Sequence, residues 1–289
     1  MLTLMRWLSR RQLSTLHAWG ALLGWLAYLV SSAHRARTRA NVALAGFAAP
    51  VLRQAVAESG RMLAELPWLW LRPADRPLTP LVQWQGDALI DQVLADGRGL
   101  VLLTPHLGCF EVTARAFAER YGQRTPLTVM YRPARQAWLR TLEETARARP
   151  GMATVPAALT GVRQMIRALR KGEAVGLLPD QVPPEGMGVW APFYGQPAYT
   201  MTLAARLVQQ TGAALLLIWA ERLPAGRGYV VRVSRPRQPL PTAAATDDAL
   251  QVACASAINT EMEQLIGQCP GQYLWAYHRY KQPRRGAPS

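Results

Sequence analysis

Two hydrophobic periodicities divide this chain. Downstream of residue 80, short runs of Leu, Val, Ile and Ala interleave with stretches whose apolar residues recur every three or four positions. The short runs at 99–104, 126–131, 174–178, 213–219 and 228–233 predict strands. The periodic stretches near 88–96, 110–120, 135–148, 158–171, 200–211 and 247–267 predict helices. Strand and helix in alternation predict an α/β fold, with a mixed, largely parallel sheet covered by helices.

The first 80 residues follow a different pattern. Residues 13–33 carry no formal charge apart from what His17 holds, and they include Trp19, Trp25 and Tyr28. That length and composition suit a membrane-anchoring helix, either a single span or a helix lying in the interface; a buried core helix is the third alternative. A cleaved secretory signal fits poorly, because the apolar stretch is too long and basic residues follow it at once. Residues 40–71 read as helix, closing on Pro67-Trp68-Leu69-Trp70-Leu71, a cluster that is either core or a second patch dipping into a bilayer. Pro73, Pro77 and Pro80 mark a linker. The expected organisation is an anchor with basic flanks at 1–38, a helical membrane-proximal segment at 39–80 and a catalytic α/β domain at 81–289.

Charge sharpens this picture. The 289 residues carry a formal net charge of +15, and Lys171 and Lys281 are the only lysines among 33 basic residues. Arg6, Arg10, Arg11, Arg35, Arg37, Arg39 and Arg53 all precede the first acidic residue, Glu58. Such a chain seeks anionic partners: phospholipid, phosphorylated glycolipid, acidic protein or nucleic acid. Nucleic acid fits least, since the excess is concentrated beside a membrane-length apolar helix. Neither a G-x-G-x-x-G pattern nor a P-loop occurs, so a nucleotide fold is not supported. Cys109, Cys254 and Cys269 have no metal-like spacing, and they point to a reducing, cytoplasmic setting with no metal site.

Candidate chemistry gathers at 99–111. His106 follows a strand at its carboxyl end, where ligands bind in doubly covered sheets. Glu111 stands in the first turn of the next helix, and Gly108 between them permits the bend that lets the two meet. A carboxylate there can hold one imidazole nitrogen and leave the other to take a proton from a hydroxyl. A loop His bonded to backbone beside a surface Glu satisfies the same spacing, so the pair gains weight from its company. Arg132, in Tyr131-Arg132-Pro133, closes the second strand at the same edge. Arg147 and Arg149 end the next helix, and Arg163 opens another in Gly161-Val162-Arg163. Asp180, in Pro179-Asp180-Gln181, ends the third strand, placed either to orient a catalytic Arg or His or to cap a turn. Pro192-Phe193-Tyr194-Gly195 leads into Tyr199-Thr200-Met201-Thr202, read as a turn and helix start lining an acyl-chain slot. Cys109 is a rival nucleophile and His278 a rival base.

Taken in order, Thr104-Pro105-His106-Leu107-Gly108-Cys109-Phe110-Glu111, Tyr131-Arg132-Pro133, Arg147 with Arg149, Gly161-Val162-Arg163, Leu169-Arg170-Lys171-Gly172-Glu173, Pro179-Asp180-Gln181, Pro192-Phe193-Tyr194-Gly195 and the closing stretch from Pro270 to Lys281 resemble the bacterial lipid A biosynthesis (late) acyltransferase family. That family is related to the glycerolipid acyltransferases. Two departures are Cys109-Phe110, where a polar residue and Trp are common, and Ala276-Tyr277, where a shorter His- and Arg-rich stretch is usual. The resemblance implies acyl transfer from a thioester, usually acyl carrier protein with acyl-CoA as the alternative donor, to a hydroxyl of an anionic phosphorylated glycolipid. It implies His106 as general base with Glu111 as its support. Arg149 or Arg132 would steady the oxyanion or hold a phosphate, with the backbone N–H near Gly108 as another donor. Arg163 would bind substrate and Asp180 would be a supporting residue. It implies no cofactor and a bacterial inner-membrane location with the catalytic domain facing the cytoplasm. A lysophospholipid or other polar-lipid acceptor is the alternative with the same chemistry, and a non-catalytic basic membrane-binding protein is the alternative without it.

Overall fold

A computed structural model of the chain describes residues 2–73, 75–131, 136–147 and 149–284. Helices α1 (Leu2–Ser9), α2 (Leu13–Val30), α3 (Ser32–Leu44) and α4 (Ala49–Trp70) come first. Then follow β1 (Val82–Gln85), α5 (Ala88–Ala95), β2 (Leu100–Leu103), α6 (Phe110–Tyr121), β3 (Leu127–Tyr131), α7 (Ala137–Arg147), β4 (Met152–Pro156), α8 (Leu159–Arg170) and β5 (Ala174–Leu177). The chain continues through β6 (Gly188–Phe193), β7 (Gln196–Met201), α9 (Leu203–Thr211), β8 (Ala214–Arg222), β9 (Tyr229–Ser234) and α10 (Asp247–Gln268).

Seven strands form one sheet in the order β1-β9-β8-β2-β5-β3-β4, and every neighbouring pair is parallel except β8–β9. The mixed, largely parallel sheet is thus present, with helices on both sides. Strand β2 shows why both faces must be covered. Leu100 and Leu102 enter one apolar core with Val112, Phe117 and Ile218, while Val101 and Leu103 enter the other with Met165, Trp219 and Ile258. All four of these β2 residues are buried, which explains the unbroken apolar run in place of an alternating one. Truncating any of the three leucines to Ala would cost about 2–5 kcal/mol.

The structure differs from the periodicity in three places. Strands β1 and β4 are sheet edges, too short or too exposed to stand out as apolar runs. Strands β6 and β7 form a separate antiparallel hairpin in which Pro192 lies opposite Pro197, and prolines mask a strand pattern. Its turn is Tyr194-Gly195, both with positive φ, so the stretch around Tyr199 is strand rather than a helix start, and α9 opens at Leu203. The helical stretch 40–71 is two helices, broken at Gly46, where φ is +78°. Trp68 and Leu69 at its end are core residues.

A buried ionic cluster fixes α4 to the sheet. Arg222, the last residue of β8, donates from Nε and Nη2 to the two oxygens of Glu65, each at 2.7 Å, and from Nη1 to Glu58 at 2.6 Å. Tyr229 donates its hydroxyl to Glu65 at 3.1 Å, and His17 of α2 lies 2.6 Å from the same carboxylate. A fork-to-carboxylate pair is strong because geometry and charge agree. Burial would raise the Glu65 carboxyl, but the Arg222 charge and the bonds from His17 and Arg222 outweigh it and hold it down at about 2.

A group whose pKa is depressed on folding stabilises the fold above its ordinary value and loses that contribution as pH falls through the depressed one. Glu65 should therefore cost the protein roughly 3 kcal/mol of stability between about pH 4.5 and pH 2. Chemical unfolding of the purified protein across that range checks this. Glu65→Gln should destabilise by about 3–5 kcal/mol at neutral pH and flatten the acid limb. An unchanged acid limb would remove Glu65 as its source.

Candidate active site

Strands β2 and β5 are parallel neighbours, paired in register from Leu100–Ala174 to Leu103–Leu177. Their carboxyl ends therefore reach the same sheet edge, and the residues that follow each strand meet there. Thr104 donates its backbone N–H to Leu177 O at 3.1 Å and continues the pairing by one residue. The chain then turns at Pro105 and His106. Gly108, with φ +60°, crosses against β8 so closely that any Cβ would overlap the Ala220 carbonyl. Its N–H donates to Gln272 O at 3.0 Å, and Cys109 N–H donates to Ala220 O at 2.9 Å. Helix α6 starts one residue later.

This bend presents His106 to Asp180. Asp180 Oδ1 lies 2.7 Å from His106 Nδ1, and Oδ2 accepts the His106 backbone N–H at 2.9 Å. The Asp180 side chain is 2% exposed and that of His106 is 14%, so the pair sits at the boundary between core and solvent. Burial would raise the Asp180 carboxyl; the His106 charge and bonds prevail, Arg279 adds to them, and the group is held below its ordinary value. An ionised Asp180 calls for a proton on Nδ1, which in the neutral ring leaves the lone pair on Nε2. The Gln181 amide nitrogen lies 2.9 Å from Nε2, and the Phe110 ring packs edge-on to the imidazole at 4.8 Å between centroids.

The carboxylate on the imidazole is thus that of Asp180, not that of Glu111. Glu111, in the first turn of α6, lines a separate small cleft together with Arg115, Arg149, Leu69, Val129 and Met152. Arg149 donates to Ala146 O at 3.0 Å and to Arg72 O at 2.7 Å. Arg115 donates to Glu119 at 3.0 Å and to Leu69 O at 2.9 Å. Burial, then repulsion from Arg115, lowers both Arg72 and Arg149, while Glu119 opposes the shift. Arg72, Arg115 and Arg149 thus lie close enough to repel one another, with Glu119 as the opposing charge.

Other expected site residues fall elsewhere. Arg163 is exposed on α8 and outside the lining of this cleft. Arg132 lies outside the described residues. The Gly108 N–H is occupied by Gln272, so this glycine serves the bend and does not donate to an oxyanion. His278 is exposed on the closing segment. Cys109 is fully buried, and burial followed by the nearby Glu65 charge pushes its thiol well above the ordinary value, the opposite of an activated nucleophile. Among the described residues, no cluster of His, Cys, Asp and Glu could hold a metal ion.

Sequence reasoning missed Gln181, Gln272 and Arg222. Gln272 clamps Arg222 through two bonds of 2.9 Å between its side-chain amide and the Arg222 backbone, while its own carbonyl holds Gly108. Arg222 also reaches Gly108 O at 3.3 Å. The position of Gln181 next to Asp180 was the one available signal among these three.

An imidazole with an ionised carboxylate behind Nδ1 and a lone pair on Nε2 is the equipment of general-base transfer to a hydroxyl. The chain matches the family model described as bacterial lipid A biosynthesis acyltransferase over residues 2–282, and it belongs to that family. It is an acyltransferase. It is similar to the lipid A biosynthesis lauroyltransferase of Escherichia coli (strain K12), 29% identical over 231 residues that make up 80% of this chain and 71% of that protein. The lipid A biosynthesis palmitoleoyltransferase of the same strain is 26% identical over 226 residues, 77% of this chain and 68% of that protein. The myristoyltransferase of that strain is 24% identical over 210 residues, 72% of this chain and 62% of that protein.

Cys109→Ala should keep at least about half of the activity, because a buried thiol with a raised pKa contributes packing and no nucleophile. The check is the acyl-transfer rate of the variant beside its thermal unfolding. A folded but inactive variant would point to a covalent acyl-enzyme.

Proposed function

We propose that this enzyme moves a fatty acyl group from an acyl carrier protein thioester to a hydroxyl of a phosphorylated lipid A precursor, at the cytoplasmic face of the bacterial inner membrane. The observation that carries this reading is the His106–Asp180 pair at the carboxyl edge of the sheet.

The acceptor hydroxyl takes the place of the Gln181 amide at Nε2. Its oxygen attacks the thioester carbonyl carbon as its proton passes to Nε2, and Asp180 supports the imidazolium that forms. The tetrahedral intermediate then expels the thiolate, which recovers the proton from Nε2. The backbone N–H groups of residues 106–109 are already bonded within the protein, which supports a guanidinium as partner of the developing oxyanion. Arg149 takes that part or holds an acceptor phosphate, with Arg72 and Arg115 adding positive potential to the same cleft. Glu111 forms the acidic wall of that cleft. The lauroyl-, palmitoleoyl- and myristoyl-transferase names of the relatives support a long saturated or monounsaturated acyl donor.

The test is transfer by the purified enzyme from acyl carrier protein thioesters to a lipid A precursor and, separately, to a lysophospholipid. Product with the precursor supports the reading; product with the lysophospholipid alone overturns the acceptor assignment. His106→Ala should lower the rate by about 10³-fold or more, and Asp180→Asn by about 10²- to 10⁴-fold with little change in KM. Arg149→Ala should raise KM for the phosphorylated acceptor by about 10- to 100-fold. Full activity of folded His106→Ala would remove the base from the account.

A further inference from the structure

We infer that α2 lies in the plane of an anionic bilayer surface and does not cross the bilayer, so both of its ends stay on the side of the catalytic domain. This inference rests on the membrane-bound reading proposed above and adds its topology. By length and composition α2 is the one described helix able to span a membrane. Its packing argues otherwise.

One face of α2 belongs to the fold. Leu13, Leu16, His17, Gly20, Gly24 and Tyr28 are buried, at spacings that keep them on a single side of the helix. Gly20 and Gly24 meet Gly60 of α4 backbone to backbone, where a Cβ at any of the three would overlap the other helix. His17 sits 2.6 Å from Glu65, inside the ionic cluster that Arg222 anchors. Helix α4, which also carries Glu58 and Arg61 against this layer, could not accompany α2 into hydrocarbon without exposing those charges.

The start of α2 is also held by the catalytic domain, and so is the helix that follows it. At its start, Ser14 packs against Gly226 in the β8–β9 connection so tightly that a Cβ on that glycine would overlap the Ser14 backbone. At its end the chain passes into α3, whose Asn41 donates to Trp275 O at 2.7 Å and to Tyr277 O at 3.0 Å, while Arg37 donates to Ala276 O at 3.3 Å. A spanning helix has its ends separated by about 30 Å of hydrocarbon. A tether at the start of α2 and another on the helix that follows it oppose that arrangement.

The opposite face is apolar and open. Leu22, Leu23, Leu26, Leu29 and Val30 are 54–77% exposed, and Trp19, 40% exposed, stacks on Trp7 of α1 at 5.5 Å. Arg6, Arg10 and Arg11 precede this face and Arg35, Arg37 and Arg39 follow it, with no acidic residue before Glu58. An apolar stripe between basic collars matches an anionic phospholipid leaflet, with leucines among the acyl chains and arginines at the phosphates.

The test uses the full chain. Tags are placed before Met1 and after Ser289, and bacterial spheroplasts and inverted membrane vesicles are treated with protease. Both tags should survive in spheroplasts and both should be cut in inverted vesicles. Loss of only the amino-terminal tag in spheroplasts would overturn the in-plane helix while leaving membrane attachment intact. In parallel, the purified protein is floated with vesicles of phosphatidylglycerol and phosphatidylethanolamine. The exposed triple variant Leu22→Ser, Leu26→Ser and Leu29→Ser should bind about 100-fold more weakly with unchanged thermal unfolding. Undiminished binding of that variant would overturn this face as the contact, and failure of the unmodified protein to float would overturn the membrane-bound reading itself.

Discussion

Asp180 holds His106 at two points, the ring Nδ1 and the backbone N–H, and both bonds depend on β2 and β5 running parallel as neighbours. Two strands that enter the sheet from the same side must leave it at the same edge, so the residue after each one is brought to the other without any long-range search. The double bond then does two things. It fixes the position of the histidine backbone in a loop that has no regular structure of its own. It also selects the imidazole tautomer, because an ionised carboxylate at Nδ1 leaves the lone pair on Nε2.

The loop has a second support. Gln272 bonds Gly108 and Arg222 together, and Arg222 is held by Glu58 and Glu65 of α4. Through His17 the same carboxylate reaches α2. One chain of bonds therefore runs from the helix with the open apolar face to the bend that carries His106. Burying these charges costs solvation, and replacing such a cluster with apolar residues often costs little stability. What the cluster supplies here is a fixed geometry: a guanidinium fork can donate to two carboxylates in few arrangements, and each carboxylate ties a different turn of α4 to the sheet.

Much of this was legible in the residues. Central strands such as β2 and β5 are buried on both faces and read as unbroken apolar runs, and α6, α8 and α10 follow their periodicity to within a residue or two. Edge strands and the Pro192–Pro197 hairpin did not stand out, because partial exposure and proline erase the pattern. At the site, the bend at Gly108 and the placement of His106 and Asp180 at one edge followed from strand ends alone. The choice of partner did not. Glu111 is five residues from His106 and Asp180 is seventy-four away, and spacing favours the nearer carboxylate while sheet topology delivers the farther one. Arg222, Glu58 and Gln272 come from three distant elements, and no local pattern marks a residue whose partners are set by packing.

The central claim is the state of one ring. Nitrogen-15 NMR of the His106 imidazole in the detergent-solubilised enzyme reads it directly. The neutral ring should carry its proton on Nδ1, facing Asp180, with an unprotonated Nε2. A neutral ring protonated on Nε2 with a bare Nδ1 would contradict it.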